Sequence, residues 1–138
     1  MEEIANFASG SVRGFIAKED KVLLVKEKGE ENWETPGGRI RKSDKNPIET
    51  CEREILEETG YRVNVESLLD VCIHVFEDGE RVFHIIYKCN LEEKVKEPDP
   101  DIVDVKWFSK SEIKELLKQN KVDFHDKNVF ETFVKGKH

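Results

Sequence analysis

Hydrophobic and polar positions change period along this chain, and the changes mark its elements. Ser11 to Lys18 and Lys21 to Lys26 read as two strands joined tightly through Glu19-Asp20. Within the second, Val22-Leu23-Leu24-Val25 is an unbroken apolar run, the pattern of a strand covered on both faces. Gly29 to Asn32 is a loop. Arg62 to Val65 and Leu68 to Phe76 read as extended, and Asp78-Gly79 signals a hairpin into a strand from Arg81 to Asn90. Glu92 to Asp101 is charged, carries Pro98 and Pro100, and reads as a surface loop before a strand from Ile102 to Phe108.

Two stretches have helical period. Asn46-Pro47 supplies a capping side chain and a proline at the first helical position, and Gly60 supplies the residue type that tolerates a left-handed stop. On a helical wheel Ile48, Cys51 and Ile55 share one arc, the expected buried face, and Glu54, Glu57 and Glu58 fill the arc beside it. Later, Ser109 or Ser111 can cap a helix through about Gln119 with an apolar face of Ile113, Leu116 and Leu117. Strands outnumber helices, which predicts an α+β protein: a mixed sheet with helices on both faces. Lys135 to His138 read as a frayed tail.

Composition narrows the class. The 138 residues are 37% hydrophobic and 38% charged, show no repeat or linker, and fit one domain over residues 1–138. The net charge of −7 argues against a long nucleic acid as partner. The apolar runs are far shorter than the roughly 20 residues of a membrane span, and there is no signal-peptide pattern. Cys51, Cys72 and Cys89 have no metal-type spacing and fit a reducing, cytoplasmic setting, with Cys51 and Cys72 as small core residues. Exposed sheet edges on a small domain make a homodimer a further expectation.

The first helix carries the candidate chemistry. Glu54 and Glu58 are a like-charged i,i+4 pair, at a cost of about 0.2–0.5 kcal/mol. Glu57 and Glu58 also crowd the end where the helix dipole disfavours anions by about 0.3–1 kcal/mol. A solvated acidic face is the bland account; bound cations explain the cost, and oxygen ligands of this kind suit Mg²⁺ or Mn²⁺. Just upstream, Trp33-Glu34-Thr35-Pro36-Gly37-Gly38 joins an aromatic residue and two permissive glycines to the basic stretch Arg39 to Lys42.

Taken together these segments resemble the Nudix hydrolase family, MutT-like members included, whose signature runs G-x5-E-x7-R-E-U-x-E-E-x-G-U with U bulky and apolar. Gly38 fills its start, and Arg53, Glu54, Ile55, Glu57, Glu58, Gly60 and Tyr61 fill its second half. The intervening loop is one residue longer than the pattern, and its early glutamate is replaced by Asp44 or lost. Asp101-Ile102-Val103-Asp104-Val105-Lys106-Trp107 is similar to a late strand of the family.

The resemblance implies an α/β/α sandwich over roughly residues 11 to 119 and metal-dependent hydrolysis of a nucleoside diphosphate linked to a group X. It places Gly38, Glu54, Glu57 and Glu58 around the metal, with Arg53 orienting Glu57. Glu54 or Glu57 would accept the proton of the attacking water, and Asp101 takes the place of a further acid. Arg39 and Arg41 are the expected phosphate contacts. Trp33 and Phe76, with Phe83 and Tyr87, are the aromatics available to a base, and His74 and His84 are expected as sheet or pocket-wall residues. The leading substrate is a nucleoside triphosphate, oxidised ones included, giving nucleotide and pyrophosphate. The alternatives are ADP-ribose, another ADP-sugar or a dinucleotide, or a non-catalytic nucleotide-binding module.

Overall fold

In the computed structural model, which describes residues 9–136, a six-stranded mixed sheet lies between helices. β1 (Ser9–Lys18) and β2 (Lys21–Glu27) are the expected pair, and Glu19 and Asp20 turn between them with φ of 52° and 63°. A short β3 (Gly37–Arg39) precedes α1 (Pro47–Thr59), followed by β4 (Tyr61–Val75), β5 (Arg81–Lys94), β6 (Ile102–Ser109) and α2 (Lys110–Lys118). A 3-10 turn (Phe124–Asp126) and α3 (Lys127–Val134) close the chain. The main strand order is β4-β5-β1-β2-β6, with β1 and β5 parallel and the other neighbours antiparallel.

Alternation along the central strands feeds two cores. Val12, Ile16 and Leu23 pack with Cys51 and Ile55 of α1. Phe15, Val22 and Leu24 point the other way, onto Ile113 of α2 and Val129, Phe130 and Phe133 of α3. The eight residues of α3 are too few to hold a helix alone. Burying Phe130 and Phe133, each worth about 1.5–3 kcal/mol, holds it in place. Phe133 meets the Phe15 ring edge-on at 5.4 Å.

A fork in the sheet positions the site. β1 pairs with β2 only at Ala17↔Val22 and Lys18↔Lys21, and its first half turns to β3 through Ser11↔Arg39, Val12↔Gly38 and Arg13↔Gly37. Glu34 fills the gap from the β2 side, its carbonyl accepting the Val25 N–H at 2.9 Å, and Pro36 accepts the Gly14 N–H at 2.8 Å. The glycine loop is thus stitched to both strands.

Four expectations need correction. Ile48 is 44% exposed. The buried stripe of α1 is Thr50, Cys51, Glu54, Ile55, Glu58 and Thr59, so two of the acids lie inside the packed face and the first turn overhangs it. The two extended pieces after α1 are one strand with irregular register, because β5 pairs with it from Lys94 to Arg81. That pairing also takes Glu92 to Lys94 out of the expected loop. Cys72 is only half-buried, whereas Cys51 and Cys89 are the core cysteines, their Sγ atoms 3.8 Å apart. Lys135 and Gly136 form a turn, and the rest of the expected tail lies outside the described residues. No helix among the described residues is long and apolar enough to cross a membrane.

Candidate active site

Local chemistry sets the limits of α1. The Asn46 side chain accepts the Glu49 N–H at 2.9 Å, Pro47 follows, and Gly60 closes the helix with φ 80° while donating to the Leu56 carbonyl at 2.9 Å. The glycine loop then lies across the acidic half. Glu58 Oε1 accepts the Gly37 N–H at 3.0 Å. At Gly38 a Cβ would stand 2.4 Å from Glu54 Oε2, so only a glycine lets the backbone pass with this carboxylate left in place. Glu54 and Glu58 are buried and Glu57 is partly open. Burial pushes the Glu58 carboxyl up to about 8, with the Gly37 N–H and Arg13 opposing and the neighbouring Glu27 carboxylate adding to the rise.

Two guanidiniums hold these acids. Arg53 Nη1 donates to Glu54 Oε1 at 2.7 Å and reaches Glu57 Oε1 at 3.5 Å. Its other face forms a fork on Asp44, Nε to Oδ1 at 3.1 Å and Nη2 to Oδ2 at 2.8 Å. Arg53 therefore orients Glu54 more closely than Glu57. Asp44 Oδ2 also accepts the Arg41 N–H and the Thr50 hydroxyl, both at 2.8 Å. The Arg53 fork, with the Arg41 N–H, holds the Asp44 carboxyl well below the usual range. Asp44 is thus an anchor of the lengthened loop. Arg41 Nη2 sits 3.5 Å from Glu54 and 3.3 Å from Glu57, on the carboxylates themselves.

A second polar cluster, which sequence reasoning missed, lies behind the loop. Arg13 donates to the Thr35 carbonyl through Nε at 2.9 Å and Nη2 at 2.6 Å, and pairs with Glu34 Oε1 at 2.9 Å. Asp126, fully buried, accepts the Thr35 N–H at 2.9 Å and the Thr35 hydroxyl. His125, Asp123 and His84 complete the group. Burial pushes Glu34 up to about 9, against the pull of Arg13, and pushes the His84 imidazole down to about 4. One signal was available: in β1, Arg13 shares a face with Phe15, a charge where the alternation calls for core.

The other expected site residues are spread more widely. Arg39 Nη1 bonds Ser9 Oγ on β1. Trp33 packs edge-on to Phe108 at 5.0 Å, with Lys26 over its ring. Phe76 is 41% exposed and stacks on His74 at 4.2 Å, which also stacks on Phe124 at 4.8 Å. Asp101 is exposed, its carbonyl accepting the Lys28 N–H at 2.8 Å. The next residue, Ile102, pairs with Glu27, the neighbour of Glu58. A cleft of about 550 Å³ lined by Tyr61, Lys94, Asp99, Asp104 and Trp107 lies past the helix end and contains none of the three glutamates.

Comparison with known proteins agrees with this architecture. The NUDIX domain family model matches residues 9–133. A MutT-like protein of Streptomyces ambofaciens is 29% identical over 111 residues, covering 79% of this chain and 69% of that one. A NUDIX hydrolase structure from Nitrosomonas europaea superposes with a TM-score of 0.79 at 25% identity, over 94% of this chain and 90% of that one. An ADP-ribose pyrophosphatase from Streptococcus suis shares the fold, with a TM-score of 0.72 at 21% identity over 94% and 92% of the two chains. With the fork-filling glycine loop and the acidic helix end in place, the chain belongs to the Nudix family and is a MutT-like Nudix hydrolase.

Proposed function

We propose that this enzyme hydrolyses a phosphoanhydride bond in a nucleoside diphosphate linked to a group X, with Mg²⁺ or Mn²⁺ held by Glu54, Glu57, Glu58 and the backbone at Gly38. The observation that carries this reading is the convergence of the acidic helix end and the glycine loop. Gly37 bonds Glu58, and Gly38 passes so close to Glu54 that any side chain there would displace the carboxylate. The residues suit a hard divalent ion: they offer carboxylate oxygens, two of them on buried side chains, whose charge Arg41 and Arg53 offset only in part. Such an ion supplies neutralisation of the diphosphate and Lewis acidity towards water.

The chain's own groups do the rest. Glu57, the most open of the three acids, takes the proton of the attacking water as the new P–O bond forms and the bridging P–O bond breaks. Arg53 fixes Glu54 and steadies Glu57. Arg41, with its guanidinium 56% exposed, can swing from the carboxylates to the outer phosphate, and Arg39 stands two residues away. Asp101 stands one residue from the Glu27 pairing and backs the proton path. Phe76, in its exposed stack with His74 and Phe124, offers a base a flat face, and Trp33 shapes the loop.

A nucleoside triphosphate, oxidised ones included, is the leading substrate, by analogy with the MutT-like members that the sequence resembles. Product identification across nucleoside triphosphates, ADP-ribose, other ADP-sugars and dinucleoside polyphosphates tests the choice. Pyrophosphate and nucleoside monophosphate are the expected products; turnover of ADP-ribose alone would move the assignment to the other branch. Glu57→Gln should keep the fold and lower turnover at least about a hundredfold, since a neutral amide neither takes the proton nor binds the cation well. Near-normal turnover in the folded variant would refute the mechanism.

A further inference from the structure

We propose that Glu34, Asp123 and His125 form a second divalent-cation site, suited to zinc-type ions, which ties the C-terminal segment to the glycine loop. One donor atom from each residue lies within 4.8 Å of the others. His125 is 9% exposed, and its Nε2 is buried without a hydrogen bond, 3.8 Å from Glu34 Oε2 and 3.4 Å from Asp126 Oδ2. An imidazole nitrogen left so, among carboxylates, is a ligand in waiting.

The surroundings prepare the donors. Arg13 holds Glu34 by Oε1 and leaves Oε2 towards the histidine. The Asn32 amide fixes Asp123 by Oδ1 at 2.9 Å. Asp126 is committed to Thr35 through both oxygens and acts from behind. A bound cation would hold Glu34 in its ionised form, and Glu34, Asp123 and Asp126 together with Arg13 then leave two negative charges, the complement of one divalent ion.

Bond lengths of about 2.0–2.2 Å to such an ion put its donors roughly 3.4 Å apart, so each side chain needs to shift by about an ångström or less. Two carboxylates and an imidazole favour zinc-type transition ions over Mg²⁺, which prefers oxygen and keeps its waters. The site would therefore load alongside Mg²⁺ on the helix glutamates. Its ligands come from the loop after β2 and from the 3-10 turn, and one ion would lock these together.

Co²⁺, a spectroscopic stand-in for zinc, tests this in the full-length protein with excess Mg²⁺ present. The expected result is about one tightly bound Co²⁺ with intensified visible absorption, retained in Glu57→Gln. His125→Gln should abolish the bands and Asp123→Asn should weaken binding at least about tenfold, with far-UV circular dichroism confirming the fold. If His125→Gln does not fold, Asp123→Asn decides. Absence of binding in the unaltered protein, or bands and affinity that survive substitution at Asp123, would overturn the site.

Discussion

Asp126 receives both the backbone N–H and the hydroxyl of Thr35, a residue 91 positions earlier in the chain. Arg13 takes the Thr35 carbonyl from the other side at 2.6 and 2.9 Å. One residue of the glycine loop is therefore clamped by the first strand and by the 3-10 turn before α3. Two positions on, Gly37 delivers its N–H to Glu58. The C-terminal segment thus holds the roof of the acidic helix in place.

Removing that clamp should unfold part of the molecule and slacken the site. Asp126→Ala leaves the Thr35 N–H and hydroxyl buried without their acceptor and removes a negative charge that Arg13 feels, at a cost of about 2–5 kcal/mol. Asp126→Asn keeps one acceptor and should cost about 1–3 kcal/mol. Urea midpoints at neutral pH measure both, and an Asp126→Ala protein as stable as the parent would refute the clamp.

The Asp44 carboxyl, held well below its ordinary value by Arg53 and the Arg41 N–H, links stability to acid. A depressed carboxyl contributes stability above its unfolded pKa near 3.8 and loses it as pH falls through the lower folded value. The gap in stability between the parent and Asp44→Asn should be full above about pH 4 and should shrink towards pH 2. Urea melts over that interval check it; a gap that does not change with pH removes the linkage.

Gly38→Ala separates stability from function. Its Cβ would meet the far end of the Glu54 side chain at 2.4 Å, so the carboxylate can swing aside while the strands stay paired. The expected outcome is a thermal midpoint within a few degrees of the parent, a weaker Mg²⁺ response and turnover lowered at least about tenfold, because Glu54 leaves its position. Unchanged turnover would mean that Glu54 need not stand there.

Glu58 gives the opposite pH sign. Its carboxyl is raised to about 8, so between about pH 4.5 and 8 the folded state keeps a proton that the unfolded state has lost. In chelator, the Glu58 contribution to stability should be greatest below pH 4.5 and be lost as pH rises through 8, by no more than about 1.4 kcal/mol per unit. Glu58→Gln should reduce the slope, the remainder coming from Glu34, which is raised to about 9. Mg²⁺ should flatten the parent's slope, since a bound cation favours the ionised form. An identical slope in parent and variant would dismiss Glu58 as the cause.

The amino-acid sequence alone determined whatever rests on local physics. The Asn46 cap, Pro47 and Gly60 delimit α1, and helical spacing sets Glu54, Glu57 and Glu58 within one arc of it. Alternation likewise determined the central strands and the mixed sheet. Tertiary structure decided the rest, because it depends on partners remote in the chain. It buried Glu54 and Glu58 under the glycine loop and exposed Ile48. It turned Asp44 into the anchor of Arg53. It made a helix of the eight residues of α3, whose phenylalanines find their core only against the sheet and α2. Above all it brought Arg13, Glu34 and Asp126 to one point, since no local pattern records a buried charge whose counter-charge lies near the other end of the chain.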